Sequence, residues 1–119
     1  MEKKHIVITD DDTSIQDASR LILERAGYQI TVFSNGGPLR TNAYERPDLF
    51  ILDMQLQEEN GLEICRFLKE QESTKGIPVI MVSASLNVAQ QAASAGADGF
   101  LEKPFKMAAL REIVARHIV

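Results

Sequence analysis

The chain of 119 residues is long enough for one hydrophobic core and too short for two, so a single domain spanning 1–119 is expected. Its 45% hydrophobic and 25% charged residues are those of an ordinary globular domain, and a net charge of −4 excludes a basic footprint for nucleic acid or an anionic membrane. The lone cysteine, Cys65, excludes a disulfide framework and points to a reducing compartment.

The charged opening Met1-Glu2-Lys3-Lys4-His5 is followed by Ile6-Val7-Ile8, far too short an apolar run for a signal peptide. No stretch reaches membrane-spanning length, so a cytoplasmic location is expected. His5 to Thr9 reads as a buried strand ending at Asp10-Asp11-Asp12. Asp12 or Thr13 caps the next helix, in which Ile15, Ala18, Ile22 and Ala26 fall at helical spacing and Gly27 makes a left-handed stop. Tyr28 to Phe33 has the partly polar alternation of an edge strand. After the turn Ser34-Asn35-Gly36-Gly37-Pro38, a short helix from Leu39 to Glu45 is expected, weakened by Thr41 and Asn42 and stopped by Pro47.

Leu49-Phe50-Ile51-Leu52 is a continuous apolar run ending in Asp53, the pattern of a central strand covered on both faces. Gly61 to Gln71 carries Leu62, Ile64, Cys65 and Leu68 at helical spacing, which makes Cys65 a small buried hydrophobe, not a nucleophile. Ser73 to Pro78 is a loop, and Ile77 to Val82 a further apolar strand ending at Ser83-Ala84-Ser85. Asn87 to Ala95 is a charge-free helix stopped by Gly96, read as part of a partner face or as a plain exposed helix. Ala97 to Leu101 is a last strand before Glu102-Lys103-Pro104, and Phe105 to Ile118 an amphipathic helix with Leu110, Ile113, Val114 and a partly covered His117. Because the chain closes on that helix, no attached output domain is expected within it.

Five strands alternating with five helices predict a doubly wound α/β domain, a parallel sheet with helices on both faces. Right-handed crossovers put every strand's carboxyl end on one rim, where such sheets bind ligands. That rim then collects Asp10 and Asp11, Asp53, Ser83 and Lys103. Clustered carboxylates repel unless a cation joins them, and hard oxygen donors suit Mg2+. A lysine can neutralise a phosphate oxygen, a serine can donate to another, and Asp53 can act as nucleophile toward phosphorus.

Five stretches carry a resemblance to the receiver domains of two-component response regulators, the chemotaxis-receiver type of flavodoxin-like fold. They are Ile6-Val7-Ile8-Thr9-Asp10-Asp11-Asp12, Pro47 to Met54, Asn60-Gly61-Leu62-Glu63, Val79 to Ala84, and Gly96 to Phe105, in order and at matching spacing. The resemblance implies strand order 2-1-3-4-5 and phosphorylation of Asp53 by a sensor histidine kinase or histidine phosphotransfer protein. It also implies Mg2+ held by Asp11, Asp53 and the Gln55 backbone carbonyl, with Asp10 acting largely through water. Ser83 and Lys103 would contact the phosphoryl group, and Phe100 would be the aromatic switch that signals to a downstream output protein or domain through the fourth helix, fifth strand and fifth helix. Homodimerisation is left open.

Departures from the family pattern are Gln57 in place of a proline, which predicts a looser loop, Phe100 in place of tyrosine, and the Gly36-Gly37-Pro38 opening of the second helix. Phe100 alternatively reads as a buried strand aromatic. Asp10-Asp11-Asp12 also resembles the opening of haloacid-dehalogenase-type phosphatases, with Asp10 as nucleophile and Asp12 as acid/base. That scheme leaves Asp53 unexplained. A flavin-binding flavodoxin lacks its phosphate loop here, and a degenerate receiver would not keep the whole acid, serine and lysine set.

Overall fold

The computed structural model describes residues 3–118; Met1 and Glu2 of the charged opening, and Val119, lie outside the described residues. The strands are β1 (His5–Thr9), β2 (Gln29–Phe33), β3 (Leu49–Asp53), β4 (Val79–Ser83) and β5 (Gly99–Glu102). They alternate with helices α1 (Thr13–Arg25), α2 (Gly37–Arg40), α3 (Gly61–Glu70), α4 (Val88–Ser94) and α5 (Met107–His117). Within this five-stranded sheet neighbouring strands pair in parallel, in the order β2-β1-β3-β4-β5, as expected for a flavodoxin-like sheet.

The apolar runs of β1, β3 and β4 form the centre of the sheet and are buried along their whole length. The alternating strands β2 and β5 take the edges. Because side chains alternate across a strand, each run supplies two faces. Ile6, Ile8, Ile51, Ile80 and Val82 pack with Leu23 of α1 and with Leu110, Ile113 and Val114 of α5. Val7, Phe50, Leu52 and Met81 pack on the other side with Leu39, with Ile64, Cys65 and Leu68 of α3, and with Val88 and Ala92 of α4. Both helix layers therefore follow from one period-of-two pattern in the central strands.

Helix ends follow local chemistry. Asp12 caps α1 by accepting the Ser14 and Ile15 N–H groups, and Gly27 leaves it at φ +99°. The second helix is the principal correction: it spans Gly37–Arg40 instead of Leu39 to Glu45. Pro38 opens it, Leu39 is wholly buried beneath it, and Asn42 enters the left-handed region at φ 57°. Polar Thr41 and Asn42 offer the backbone local alternatives to further helix. The last two strands each start two residues later than expected. Ile77 N–H closes a turn on Thr74, and Ala97 N–H bonds Ala92 at the end of α4, so neither is free to enter the ladder.

Burial agrees with the reading of Cys65, whose thiol donates to the Ala95 carbonyl at 3.5 Å. Burial above all pushes that thiol up to about 11, too high for a nucleophilic thiolate at neutral pH. His117 is half-buried, its ring nitrogens facing the carbonyl oxygens of Ile113 at 2.8 Å and Asp98 at 3.2 Å.

Candidate functional site

Strand parity assembles the rim. Ile6, Ile8 and Asp10 share one face of the sheet, as do Leu49, Ile51 and Asp53. Both carboxylates emerge where their strands end and are almost fully buried, Asp10 at 3% and Asp53 at 4% exposure. Lys103 leaves β5 on the same side as Leu101, and its N–H bonds Ser83 O at 2.8 Å. Its ammonium Nζ stands 3.0 Å from Asp53 Oδ2 and 3.3 Å from Asp10 Oδ2.

The second oxygen of each acid is held by the backbone. Asp12 N–H donates to Asp10 Oδ1 at 2.9 Å, and Gln55 N–H donates to Asp53 Oδ1 at 3.0 Å. Asp11 is exposed at the mouth, and one oxygen from each of Asp10, Asp11 and Asp53 lies within 4.8 Å of the others. Burial pushes the Asp10 carboxyl above its ordinary value, as does the Asp53 charge, against the opposing Asp12 N–H and Lys103. Burial works to lower Lys103, but its hydrogen bond to Asp53 and the two acid charges prevail and raise it.

Ser83 reaches the same rim from the opposite parity, next to Val82 and on the side of Met81. It is fully buried, and its Oγ accepts the Ser85 N–H at 2.9 Å. Phe100 is 44% exposed on the edge strand, so it is not a buried strand aromatic. The structure thus brings Asp10, Asp11, Asp53 and Lys103 into one cluster with the Gln55 backbone beside it. It leaves the Ser83 hydroxyl engaged locally and Phe100 turned outward.

The oxygen donors suit a magnesium ion. Three carboxylates converge with one ammonium among them, and burial already disfavours the Asp10 charge. A small hard cation with oxygen ligands is the species such a cluster accommodates.

Among the supporting residues Gln16 carried no sequence signal, whereas Asn60 and Gly61 lie in one of the stretches that carry the resemblance. The Gln16 side-chain amide donates to the Asp10 carbonyl and to Ser34 Oγ, tying α1 to two rim loops. Gly61 begins α3 against the acid: an added Cβ would press into the Asp53 carbonyl oxygen and lie 2.8 Å from Met54 Cα. Asn60 Oδ1 caps that helix by accepting the Leu62 N–H at 2.8 Å. Around Gln57, where the absence of a proline predicts a looser loop, the segment forms a short antiparallel ribbon, Gln55–Leu56 against Glu59–Asn60.

The family model described as the response regulator receiver domain matches residues 6–115. The chain is 32% identical to the DNA-binding response regulator MtrA of Mycobacterium tuberculosis, over 96% of this chain and 49% of that protein. It superposes on the chemotaxis response regulator CheY4 of Vibrio cholerae with a TM-score of 0.88 at 25% identity, covering 97% and 98% of the two chains. A TM-score of 0.87 at 27% identity, covering 98% of each chain, relates it to the receiver domain of the sensor histidine kinase PA1611 from Pseudomonas aeruginosa PAO1, a structure with a magnesium ion coordinated in the active site cleft. A flavodoxin-like sheet with acids and a lysine on its carboxyl rim defines the receiver class of signalling domain, and this chain belongs to the response regulator receiver domain family. It spans about half the length of the curated relatives it matches.

Proposed function

We propose that Asp53 accepts a phosphoryl group from a phosphohistidine of a sensor histidine kinase or histidine phosphotransfer protein. The observation that carries the reading is the Lys103 ammonium placed 3.0 Å from Asp53 Oδ2 on a rim that also bears Asp10 and Asp11. An Asp53 oxygen attacks phosphorus, forming the P–O bond as the P–N bond to the donor imidazole breaks. The electron pair leaves with that nitrogen. Lys103 neutralises charge on a phosphoryl oxygen throughout. Asp11, Asp53 and the Gln55 carbonyl would hold Mg2+, with Asp10 acting through water, and the ion would offset phosphoryl charge in the transition state. Asp10 positions Lys103 through the 3.3 Å ion pair.

Phosphorylation of Asp53 adds negative charge and three acceptor oxygens beside a buried hydroxyl. Ser83 can then exchange its Ser85 N–H contact for donation to the phosphoryl group. That movement vacates space which the outward Phe100 can enter, changing the face of α4, β5 and α5 that meets the output protein or domain. In this reading residues 1–119 form one receiver unit in the cytoplasm, a signalling phosphoacceptor that assists its own transfer and hydrolysis chemistry.

The test is acetyl phosphate labelling with Mg2+, read by peptide mass spectrometry. Label on Asp53, lost in Asp53→Asn, is expected; label on Asp10 would overturn the reading in favour of phosphatase-type chemistry. For the switch, Phe100→Ala should abolish phosphorylation-dependent partner binding and leave Asp53 labelling intact. Unchanged binding would remove Phe100 from the role.

A further inference from the structure

We infer that Glu59 is a positioning residue for the Mg2+ site, an assignment that rests on the function proposed above. The ribbon that carries Gln55 contains only two residue pairs, Gln55 with Asn60 and Leu56 with Glu59. A two-stranded ribbon of that size has little stability of its own. Gln57 occupies its turn, so no proline ring stiffens it. Beyond the Gln55 N–H bond to Asp53 and the buried Leu56, something outside the ribbon must therefore tie it to the neighbouring loop.

Glu59 supplies that hold. Its Oε2 accepts the Gly36 N–H at 2.6 Å, and its Oε1 pairs with Arg40 Nε at 3.2 Å. The first is a short, charge-assisted bond to backbone, with the carboxylate only a quarter exposed, so it is worth more than an open surface ion pair. The carboxylate thus ties the ribbon to the first turn of α2. Gly36 admits the approach because it has no side chain: an added Cβ would overlap Ile64 Cδ1 and lie 2.7 Å from Glu59 Oε2. Beside this clamp a polar cleft of about 570 Å³ runs between the two loops, bordered by Asp11, Asn35 and Gln57. The acid at the mouth and the ribbon beside Asp53 therefore border one cleft, and Glu59 ties the ribbon side of it to α2. Glu59 sits outside the cluster of Asp10, Asp11 and Asp53 and acts through the Gln55 backbone and not as a ligand.

The experiment is calorimetric titration of the folded chain with Mg2+ alone, together with hydrogen exchange of the Gly36 and Gln55 amides in the metal-free chain. Loss of outer support weakens metal affinity by roughly tenfold or more, so Glu59→Ala should raise the Mg2+ Kd about tenfold and speed both exchanges. Glu59→Gln, which keeps an acceptor for Gly36, should recover most of the affinity. Glu58→Ala removes the same charge from the same turn without touching the clamp and should leave Kd within about twofold, since exposed charges are well screened. Should Glu59→Ala fail to fold, Arg40→Ala loosens the clamp from the far side, with an expected loss of about threefold, the scale of a partly exposed ion pair. A wild-type Kd in the Glu59→Ala chain, or an equal loss in Glu58→Ala, would overturn the inference while leaving the proposed function standing. Failure of the unaltered chain to bind Mg2+ would overturn both.

Discussion

At the scale of single residues, the site stores electrostatic conflict. Asp10 and Asp53 are buried on the same side of the rim, and burial raises Asp10 with the Asp53 charge assisting. A raised carboxyl pKa means that the folded chain binds the proton more tightly than the unfolded one. The stability contributed by protonated Asp10 is complete below its ordinary value of 3.8 and is lost as pH rises through the elevated folded value. At neutral pH the ionised acid therefore weakens the metal-free fold. Asp10→Asn should raise the melting temperature of the metal-free chain at pH 7 by roughly 2–5 °C, and calorimetry should find the gain shrinking below the carboxyl titration. A lowered melting temperature would mean that the Lys103 pair outweighs the burial penalty. Lys103 is also raised, so its contribution is present below 10.5 and disappears as pH climbs through its folded value.

At the scale of elements, the site depends on how closely α3 approaches the end of β3. Gly61 lets that helix start directly on the Asp53 backbone, and the atoms an added Cβ would meet belong to main chain that cannot swing aside. Gly61→Ala should destabilise the chain by about 2 kcal/mol or more in urea denaturation. Gly76 is the contrast, since a Cβ there meets nothing within 4 Å and its φ lies outside the left-handed range. Gly76→Ala should be neutral or stabilising, by about 0.4–1 kcal/mol at most. Equal effects of the two substitutions would deny that close approach makes the difference. The second helix illustrates the converse dependence. Local signals at Pro38 and Asn42 set its ends, but buried Leu39 and the Gly36 contact keep so short a helix in place.

At the scale of the whole molecule, a cation bound to the folded chain should add stability by mass action, about 1.4 kcal/mol for each tenfold excess of Mg2+ over its Kd. The melting temperature should rise with Mg2+, return on adding chelator, and respond much less in Asp11→Asn, read by scanning calorimetry. An undiminished response in that variant would place the ion elsewhere. Much of this molecule was written locally. The alternation of apolar runs with amphipathic stretches specified the strands, the helices and the class of fold, because burial on two faces needs continuous apolar strands and burial on one needs a helical stripe. Right-handed crossover then implied that Asp10, Asp11, Asp53, Ser83 and Lys103 would reach one rim, since chirality fixes which end of every strand lies there. Spacing along the chain says nothing of contacts between loops remote in sequence. The outward Phe100 and the bond from Glu59 to Gly36 were decided only by packing, which in the second case brings residues 23 positions apart to 2.6 Å. Hydrophobic pattern is a property of each segment, whereas a hydrogen bond between two loops exists only once the core has set them side by side.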